Sequence, residues 1–285
     1  MPRLATFLLL ILALVVPLRA ADVATPTTQR VYVCTHSFME FTAKMLPVIA
    51  KSAGCTQITV GEDMIGGSTC IQHWNVPEEK NKAKTALSAG GIDVLTLSPF
   101  YIMPDPGIDN FTKLGLEKNP DLRVFVQASW PAFDNTDSIP AKAQALRNGA
   151  TVESLKTMHA AQNNGWRKVL EDQVAKLNKD IGHDAVRIIP VNDAVFALRE
   201  RVVEGKAPGL SQQTDLFKDD IGHPTPPLAL LVTYCHFAAI YGKSPVGLPV
   251  PASLKDNPMA KKLVAVLQEI AWEAVKGYAA QPAAR

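Results

Sequence analysis

The stretch Arg30-Val-Tyr-Val-Cys-Thr-His-Ser37 decides the fold, because it joins a β-rich apolar run to a polar turn. Residues 39–52 follow it with apolar side chains at helical spacing. A buried strand that leads directly into a helix is typical of parallel sheets, where each crossover helix leads to the next strand. The stretch therefore predicts the first β–α unit of an α/β fold.

The same pattern recurs along the chain. Four further apolar runs predict strands, at residues 56–60, 93–97, 123–128 and 185–189. Continuous apolar runs separated by helical segments indicate a parallel sheet that is covered on both faces. We therefore predict a three-layer α/β/α sandwich with a flavodoxin-like parallel sheet of about five strands.

The segments between the predicted strands differ in composition. Residues 104–122 and 132–150 are rich in Pro, Asp and Asn, which predicts long surface loops. Residues 152–179 carry many charges in a helical pattern, which predicts a solvated helix on the outside. No composition shift marks a boundary, so we predict that residues 21–285 form one domain.

The first twenty residues have the form of an export signal. Arg3 supplies the positive start, residues 4–16 the apolar run, and Pro17-Leu-Arg-Ala20 a small-residue cleavage site. The apolar run is shorter than the roughly 20 residues that a membrane-spanning helix needs. We therefore expect cleavage of residues 1–20, a secreted or periplasmic location, and no membrane contact afterwards.

The charge of the chain argues against nucleic acid as a partner. The sequence has 29 basic and 27 acidic residues, for a net charge of +2, and no block of like charge. Nucleic-acid binding proteins depend on basic patches to neutralise phosphates, and no such patch is visible. The composition favours a small or neutral substrate.

Four cysteines leave the redox state of the chain open. In an exported protein, Cys34, Cys55, Cys70 and Cys235 allow three complete disulfide pairings. Cys55 and Cys70 flank one predicted strand, and the opposite ends of a strand are too far apart for a disulfide. For Cys34 and Cys235, buried free thiols are the alternative, since cysteine is often a core residue.

A late polar turn carries the residue types of a serine hydrolase. Asp220-Ile-Gly-His223 places a carboxylate three residues before an imidazole, and Ser37 lies just past the first predicted strand. An imidazole oriented by a carboxylate can take the proton of a serine hydroxyl, which makes that oxygen nucleophilic. Asp219 competes with Asp220 for this role. The alternative for Ser37 is a helix N-cap, a position that serine favours.

These pieces, in this order, resemble the SGNH/GDSL hydrolases, within them an exported branch. Thr35-His36-Ser37-Phe38 resembles the nucleophile block and Asp220-Ile-Gly-His223 the last block. Gly66-Gly67-Ser68, followed by Gln72-His73-Trp74-Asn75, resembles the second block, whose glycine amide faces the oxyanion. The resemblance covers residues 30–249.

The resemblance implies an acyl-transfer site. His223, held by Asp220, would take the proton of Ser37 as the serine attacks an ester carbonyl. The amides of Ser37 and Gly67 would stabilise the oxyanion, and Ser98 is added to them from its position alone.

Three further polar residues are expected to lie on the same rim of the sheet. We predict that His36, His73 and Asn75 bind the substrate. Hydrogen bonding within the loops is the simpler alternative for the two histidines.

Two departures from the family pattern bear on activity. The Gly-Asp that usually precedes the nucleophile is replaced by Thr35-His36. The third block usually supplies an asparagine that donates to the oxyanion, and here that loop is Ser98-Pro-Phe-Tyr101. Loss of one such donor costs about 10²–10³-fold in turnover where the oxyanion depends on it.

Three hypotheses of function follow. The first is an exported serine esterase or deacylase that cleaves a small or carbohydrate-linked ester and needs neither a metal nor an organic cofactor. The second is a non-catalytic ligand-binding protein on the same fold, which the missing asparagine supports. The third, a metal-dependent hydrolase, would use His36, His73, Asp220 and His223, although no pair of histidines has a helical i, i+4 spacing.

Overall fold

The computed structural model describes residues 27–134, 143–256 and 258–280. At its centre are five parallel strands in the order β2-β1-β3-β4-β5. The strands are β1 (Thr28–Thr35), β2 (Thr56–Met64), β3 (Val94–Leu97), β4 (Arg123–Gln127) and β5 (Val186–Ile189). The predicted parallel α/β fold with five strands is confirmed, and the strand order is the flavodoxin-like one.

Ten α-helices in the described part of the chain connect and cover these strands. They are α1 (Thr42–Ser52), α2 (Cys70–Trp74), α3 (Lys82–Ser88), α4 (Pro106–Lys118), α5 (Ala143–Asn148), α6 (Val152–Gln162), α7 (Lys168–Ile181), α8 (Val191–Val203), α9 (Pro226–Tyr241) and α10 (Ala260–Ala279).

Side chains of the inner strands alternate between two apolar cores, which explains why the central parts of these strands are largely apolar. Val31 and Val33 of β1 face a core that includes side chains of α1, α8, α9 and α10. Tyr32 and Cys34 face the opposite core, with side chains of α3, α4 and α7. Both faces are covered at the inner strands, which favours apolar side chains there. The edge strand β2 instead alternates exposed with buried or half-buried positions and carries polar residues.

Helix α9 is buried on every side. Fourteen of its sixteen residues are buried, and it packs between α1 and α10 beneath the sheet. Two of its polar side chains bond within the core: His236 Nε2 lies 2.7 Å from Gln127 Oε1, and the Tyr234 hydroxyl accepts a hydrogen bond from Gln268. Since α9 begins three residues after His223, it anchors the loop that carries this residue.

None of the helices in the described ranges is long and apolar enough to cross a membrane.

One predicted loop is wrong and another segment is more buried than expected. Residues 104–122 contain α4, whose first turn has Asp105 as N-cap and Pro106 behind it. Both residues are helix-start signals, but the loop-like composition of residues 104–122 hid them. The expected solvated helix at residues 152–179 is two helices joined by a π-helical segment at Asn163–Arg167, and α7 buries Leu170, Val174 and Leu177.

Two expectations fall partly or wholly outside the described residues. The export signal at residues 1–20 lies outside them, as does the stretch 135–142 of the predicted loop 132–150. The described remainder of that loop contains α5.

All four cysteines are buried and free, so the free-thiol alternative for Cys34 and Cys235 describes this structure and extends to Cys55 and Cys70.

Buried histidines make the fold sensitive to acid. Burial lowers the pKa of His236 to about 3 and, although the Pro99 carbonyl opposes the shift, that of His36 to about 4. In the unfolded chain the pKa of the same rings is about 6.5. Between these values the unfolded state binds protons that the folded state does not, so the free energy of unfolding falls as the pH falls.

We predict a loss of about 1.4 kcal/mol per pH unit for each of these two histidines between about pH 6 and pH 4. Urea titrations across that range measure it. His236→Gln should reduce the slope by the share of one histidine, and His183→Gln, which changes an exposed ring, should leave it unaltered. An equal slope in all three proteins would contradict the assignment.

Candidate active site

Ser37 lies on a tight turn between β1 and α1. The turn is closed by a hydrogen bond from the amide of Met39 to the carbonyl of His36, at 3.1 Å. Helix α1 begins at Thr42 with Phe41 as its N-cap, so Ser37 does not cap this helix. Its side chain is half-buried and contacts His223 instead.

Ser37, His223 and Asp219 form a continuous chain of hydrogen bonds. Ser37 Oγ lies 2.9 Å from His223 Nε2, and His223 Nδ1 lies 2.6 Å from Asp219 Oδ2. A carboxylate only accepts hydrogen bonds, so Nδ1 carries the ring proton of the neutral imidazole. Nε2 is then free to accept the proton of Ser37, which is the tautomer that a general base needs.

The partner of the imidazole is Asp219, whereas Asp220 was expected. Asp220 Oδ1 accepts a hydrogen bond from the amide of Gln144, at 2.8 Å, and holds α5 instead. The four-residue separation of Asp219 and His223 works because Gly222 has a φ of 93° and folds the turn back. Only glycine adopts this conformation at little cost, so the turn depends on it.

Asp219 fixes the backbone of the turn as well as the ring. Its Oδ1 accepts hydrogen bonds from the amides of Gly222 and His223, at 3.0 and 3.2 Å. Partial burial acts to raise the pKa of Asp219, but the hydrogen bonds from the ring and amide of His223 outweigh it and lower the pKa. The carboxylate therefore stays ionised, and able to orient His223, in mildly acidic solution.

A buried arginine clamps the same turn from below. Arg147 of α5 donates to the carbonyls of Asp219, Asp220 and Ala132, at 2.9, 3.0 and 2.6 Å. Its guanidinium also lies 4.6 Å from the centre of the Phe217 ring. A guanidinium carries five N–H donors in a rigid plane, so one side chain can tie several carbonyls together.

Aromatic packing supports the imidazole from the sheet side. Phe38 stacks on Trp130, with ring centres 4.5 Å apart, and makes a T-shaped contact with the His223 ring, whose centre lies 5.7 Å from that of Phe38. Trp130 in turn donates from Nε1 to the carbonyl of Gly222, at 3.1 Å. Phe38 and the loop after β4 thus hold the turn formed by residues 219–223, which we call the histidine turn, at a fixed distance from Ser37.

Ser98 and His36 form a second serine–histidine pair beside the triad. His36 Nδ1 accepts from the amide of Phe38, so its Nε2 carries the proton and donates to Ser98 Oγ, at 2.8 Å. This leaves the hydroxyl proton of Ser98 available for another acceptor. Both side chains are buried, and within the described residues the amide of Ser37 donates to no acceptor.

The other residues expected at the site have different environments. His73 is buried, with Nε2 3.0 Å from the carbonyl of Thr35 and 2.8 Å from Ser68 Oγ, so its ring stabilises the loops. Gly67 is exposed on the turn after β2, with a φ of 60°. Asn75 is exposed at the end of α2. His36 and His73 thus follow the simpler, loop-bonding alternative.

In the part of the chain that the structure describes, no three or more His, Cys, Asp or Glu side chains are arranged to hold a metal ion. The four ligands of the metal hypothesis each have a different partner. Asp220 accepts from the amide of Gln144 in α5, His36 and His73 hydrogen-bond to groups in the loops, and His223 contacts Ser37.

Comparison with known proteins shows the fold alone. The structure is similar to the crystal structure of a DUF4886 family protein from Bacteroides uniformis ATCC 8492, with a TM-score of 0.55 and 14% sequence identity. The match covers 90% of this chain and 98% of that one. No protein-family model matches the sequence. No curated protein matches it either.

Arg147 is predicted to hold the histidine turn, and its loss should be costly. Arg147→Met leaves three carbonyls without their donor, and each unsatisfied buried group costs about 1–3 kcal/mol. We expect the free energy of unfolding, measured by urea titration, to fall by about 3 kcal/mol. Arg187→Met removes an exposed arginine and serves as the control. Equal stabilities of the two variants would show that the clamp is not needed.

Proposed function

We propose that this protein is an exported serine esterase or deacylase that cleaves a small or carbohydrate-linked ester. The observation that carries the proposal is the chain of hydrogen bonds from Ser37 Oγ through His223 to Asp219, at 2.9 and 2.6 Å. Support also comes from the resemblance of the nucleophile and histidine segments to the SGNH/GDSL hydrolases, to which we assign the chain. Its expected export signal supports a secreted or periplasmic location.

The first half of the reaction forms an acyl-enzyme. Ser37 Oγ attacks the ester carbonyl carbon while His223 Nε2 takes the hydroxyl proton, and the carbonyl oxygen becomes an oxyanion. Asp219 stabilises the resulting imidazolium through Nδ1. When the tetrahedral intermediate collapses, the carbon–oxygen bond to the alcohol breaks and His223 returns its proton to the leaving alkoxide.

The second half releases the acid. Water attacks the acyl-enzyme carbonyl as His223 Nε2 takes its proton, and the bond to Ser37 Oγ then breaks as the proton passes back to that oxygen. The amide of Ser37 and the hydroxyl of Ser98 are the oxyanion donors in this proposal, with the amide of Gly67 as a third. The scheme uses no metal or organic cofactor.

We predict that Ser37→Ala and His223→Ala abolish hydrolysis of p-nitrophenyl acetate. Asp219→Asn should lower kcat by about 10³–10⁴-fold, because an amide in place of the carboxylate favours the wrong imidazole tautomer. Asp220→Asn is the matched control. It removes a neighbouring carboxylate that faces Gln144, and we expect it to keep most of the activity.

Two results would contradict the proposed triad. A larger loss in Asp220→Asn than in Asp219→Asn would return the orienting role to Asp220. Turnover by Ser37→Ala at the wild-type rate would exclude Ser37 as the nucleophile.

Ser98 provides a separate test of the oxyanion site. Ser98→Ala removes a hydroxyl donor and should lower kcat by about 10²-fold with a small change in KM, because the oxyanion exists only in the transition state. Ser129→Ala is the control, since Ser129 also follows a strand and bonds Gln127 Nε2, at 2.8 Å. Equal kcat values for the two variants would remove Ser98 from the oxyanion site.

The missing third-block asparagine keeps the binding-protein hypothesis as the second candidate. If it is correct, Ser37→Ala binds ligand as the wild type does and neither protein hydrolyses any ester. The same panel of variants therefore separates the two functions.

A further inference from the structure

Exposed apolar side chains lie on three of the segments that border Ser37 and His223. In the described residues thirteen large apolar side chains are exposed, and five of them lie on segments that border the triad. These five, which we call the apolar rim, are Met64, Ile65, Tyr101, Ile102 and Ile221. Single exposed apolar residues are common on proteins, whereas a cluster at one place marks a binding surface.

The end of β2 brings the first two rim residues to the nucleophile turn. Met64 pairs in register with Thr35, the last residue of β1. Ile65 then donates its amide to the carbonyl of Thr35, at 3.1 Å. Ser37 is only two residues beyond Thr35, so this side of the rim is fixed beside the nucleophile.

The loop after β3 carries two further rim residues, Tyr101 and Ile102, and aromatic contacts connect this loop to the nucleophile turn. The ring of Phe100 lies 5.3 Å from His36 and 4.8 Å from Tyr101, centre to centre. His36 immediately precedes Ser37, so the series leads from the nucleophile turn to Tyr101, which is 67% exposed. Ile102, the next residue, is 53% exposed.

The histidine turn supplies the remaining member. Ile221 is 45% exposed and lies between Asp220 and Gly222, two residues before His223. The turn is fixed by Asp219 and Arg147, so this exposed side chain is held in place rather than left on a free loop.

The two loops that carry most of the rim contain no charged residue. Residues 64–69 are Met-Ile-Gly-Gly-Ser-Thr and residues 98–104 are Ser-Pro-Phe-Tyr-Ile-Met-Pro. A carboxylate or ammonium lying against these two loops would find no counter-ion on them and would lose hydration. The chemistry of the surface selects an uncharged apolar group.

We propose that the apolar rim binds the hydrocarbon chain of the acyl group, so that the substrate is an ester of a medium-length fatty acid. This inference rests on the proposed esterase function and names its substrate class. Each methylene that moves from water onto an apolar surface strengthens binding by up to about fourfold. The exposed rim covers a chain on one side only, so the gain per methylene is smaller than this.

The test is the chain-length dependence of kcat/KM with p-nitrophenyl acetate, butyrate and octanoate, each below the concentration at which the ester aggregates. The wild type should favour octanoate over acetate by about tenfold or more. In Tyr101→Ser/Ile102→Ser that ratio should fall at least threefold, because about half of the apolar surface is removed. Val203→Ser changes an exposed valine at the end of α8 and should keep the wild-type ratio.

The outcomes separate this inference from the function it rests on. If acetate is hydrolysed through Ser37 but octanoate is no better a substrate, the rim does not bind acyl chains and the esterase proposal stands. If the rim variant and Val203→Ser show the same ratio, the chain is bound elsewhere and the inference is wrong. If no ester is hydrolysed and Ser37 resists a fluorophosphonate probe, both proposals fail together.

Discussion

The candidate site depends on one carboxylate. Asp219 accepts the ring N–H of His223 with one oxygen and two backbone amides of the same turn with the other. The ring orientation, its tautomer and the shape of the turn are therefore set by a single group. Hydrogen bonds to an ionised acceptor are stronger than neutral ones, so this interaction holds the geometry as long as Asp219 stays charged. The same hydrogen bonds lower its pKa and keep it charged.

The rest of the fold converts that local geometry into a fixed distance from Ser37. The parallel sheet delivers Ser37 at the carboxyl end of β1, where α/β folds place their ligands. Arg147 and Trp130 tie the carbonyls of the histidine turn to α5 and to the loop after β4. Helix α9 continues from the turn into the core. A side chain held from so many directions is pre-organised, which is what the proposed acyl transfer requires.

The strands and two members of the hydrogen-bond chain, Ser37 and His223, could be predicted from sequence, because both follow from local patterns. Apolar runs give strands, and the residues just after them lie at one edge of the sheet. The choice between Asp219 and Asp220 could not be made, since it depends on the positive φ of Gly222. Arg147 was also missed, because it reaches Asp219 across 72 residues of sequence. Helix α4 was hidden by Pro, Gly, Asp and Asn residues that are typical of loops.

The central claim is that His223 activates Ser37, and covalent labelling tests it most directly. The mature protein would be treated with a fluorophosphonate, and the modified residue located by peptide mass mapping. The account predicts a single adduct on Ser37, whose formation slows sharply in His223→Ala because the hydroxyl then lacks its base. An unmodified Ser37, or an adduct that forms at the same rate without His223, would contradict it.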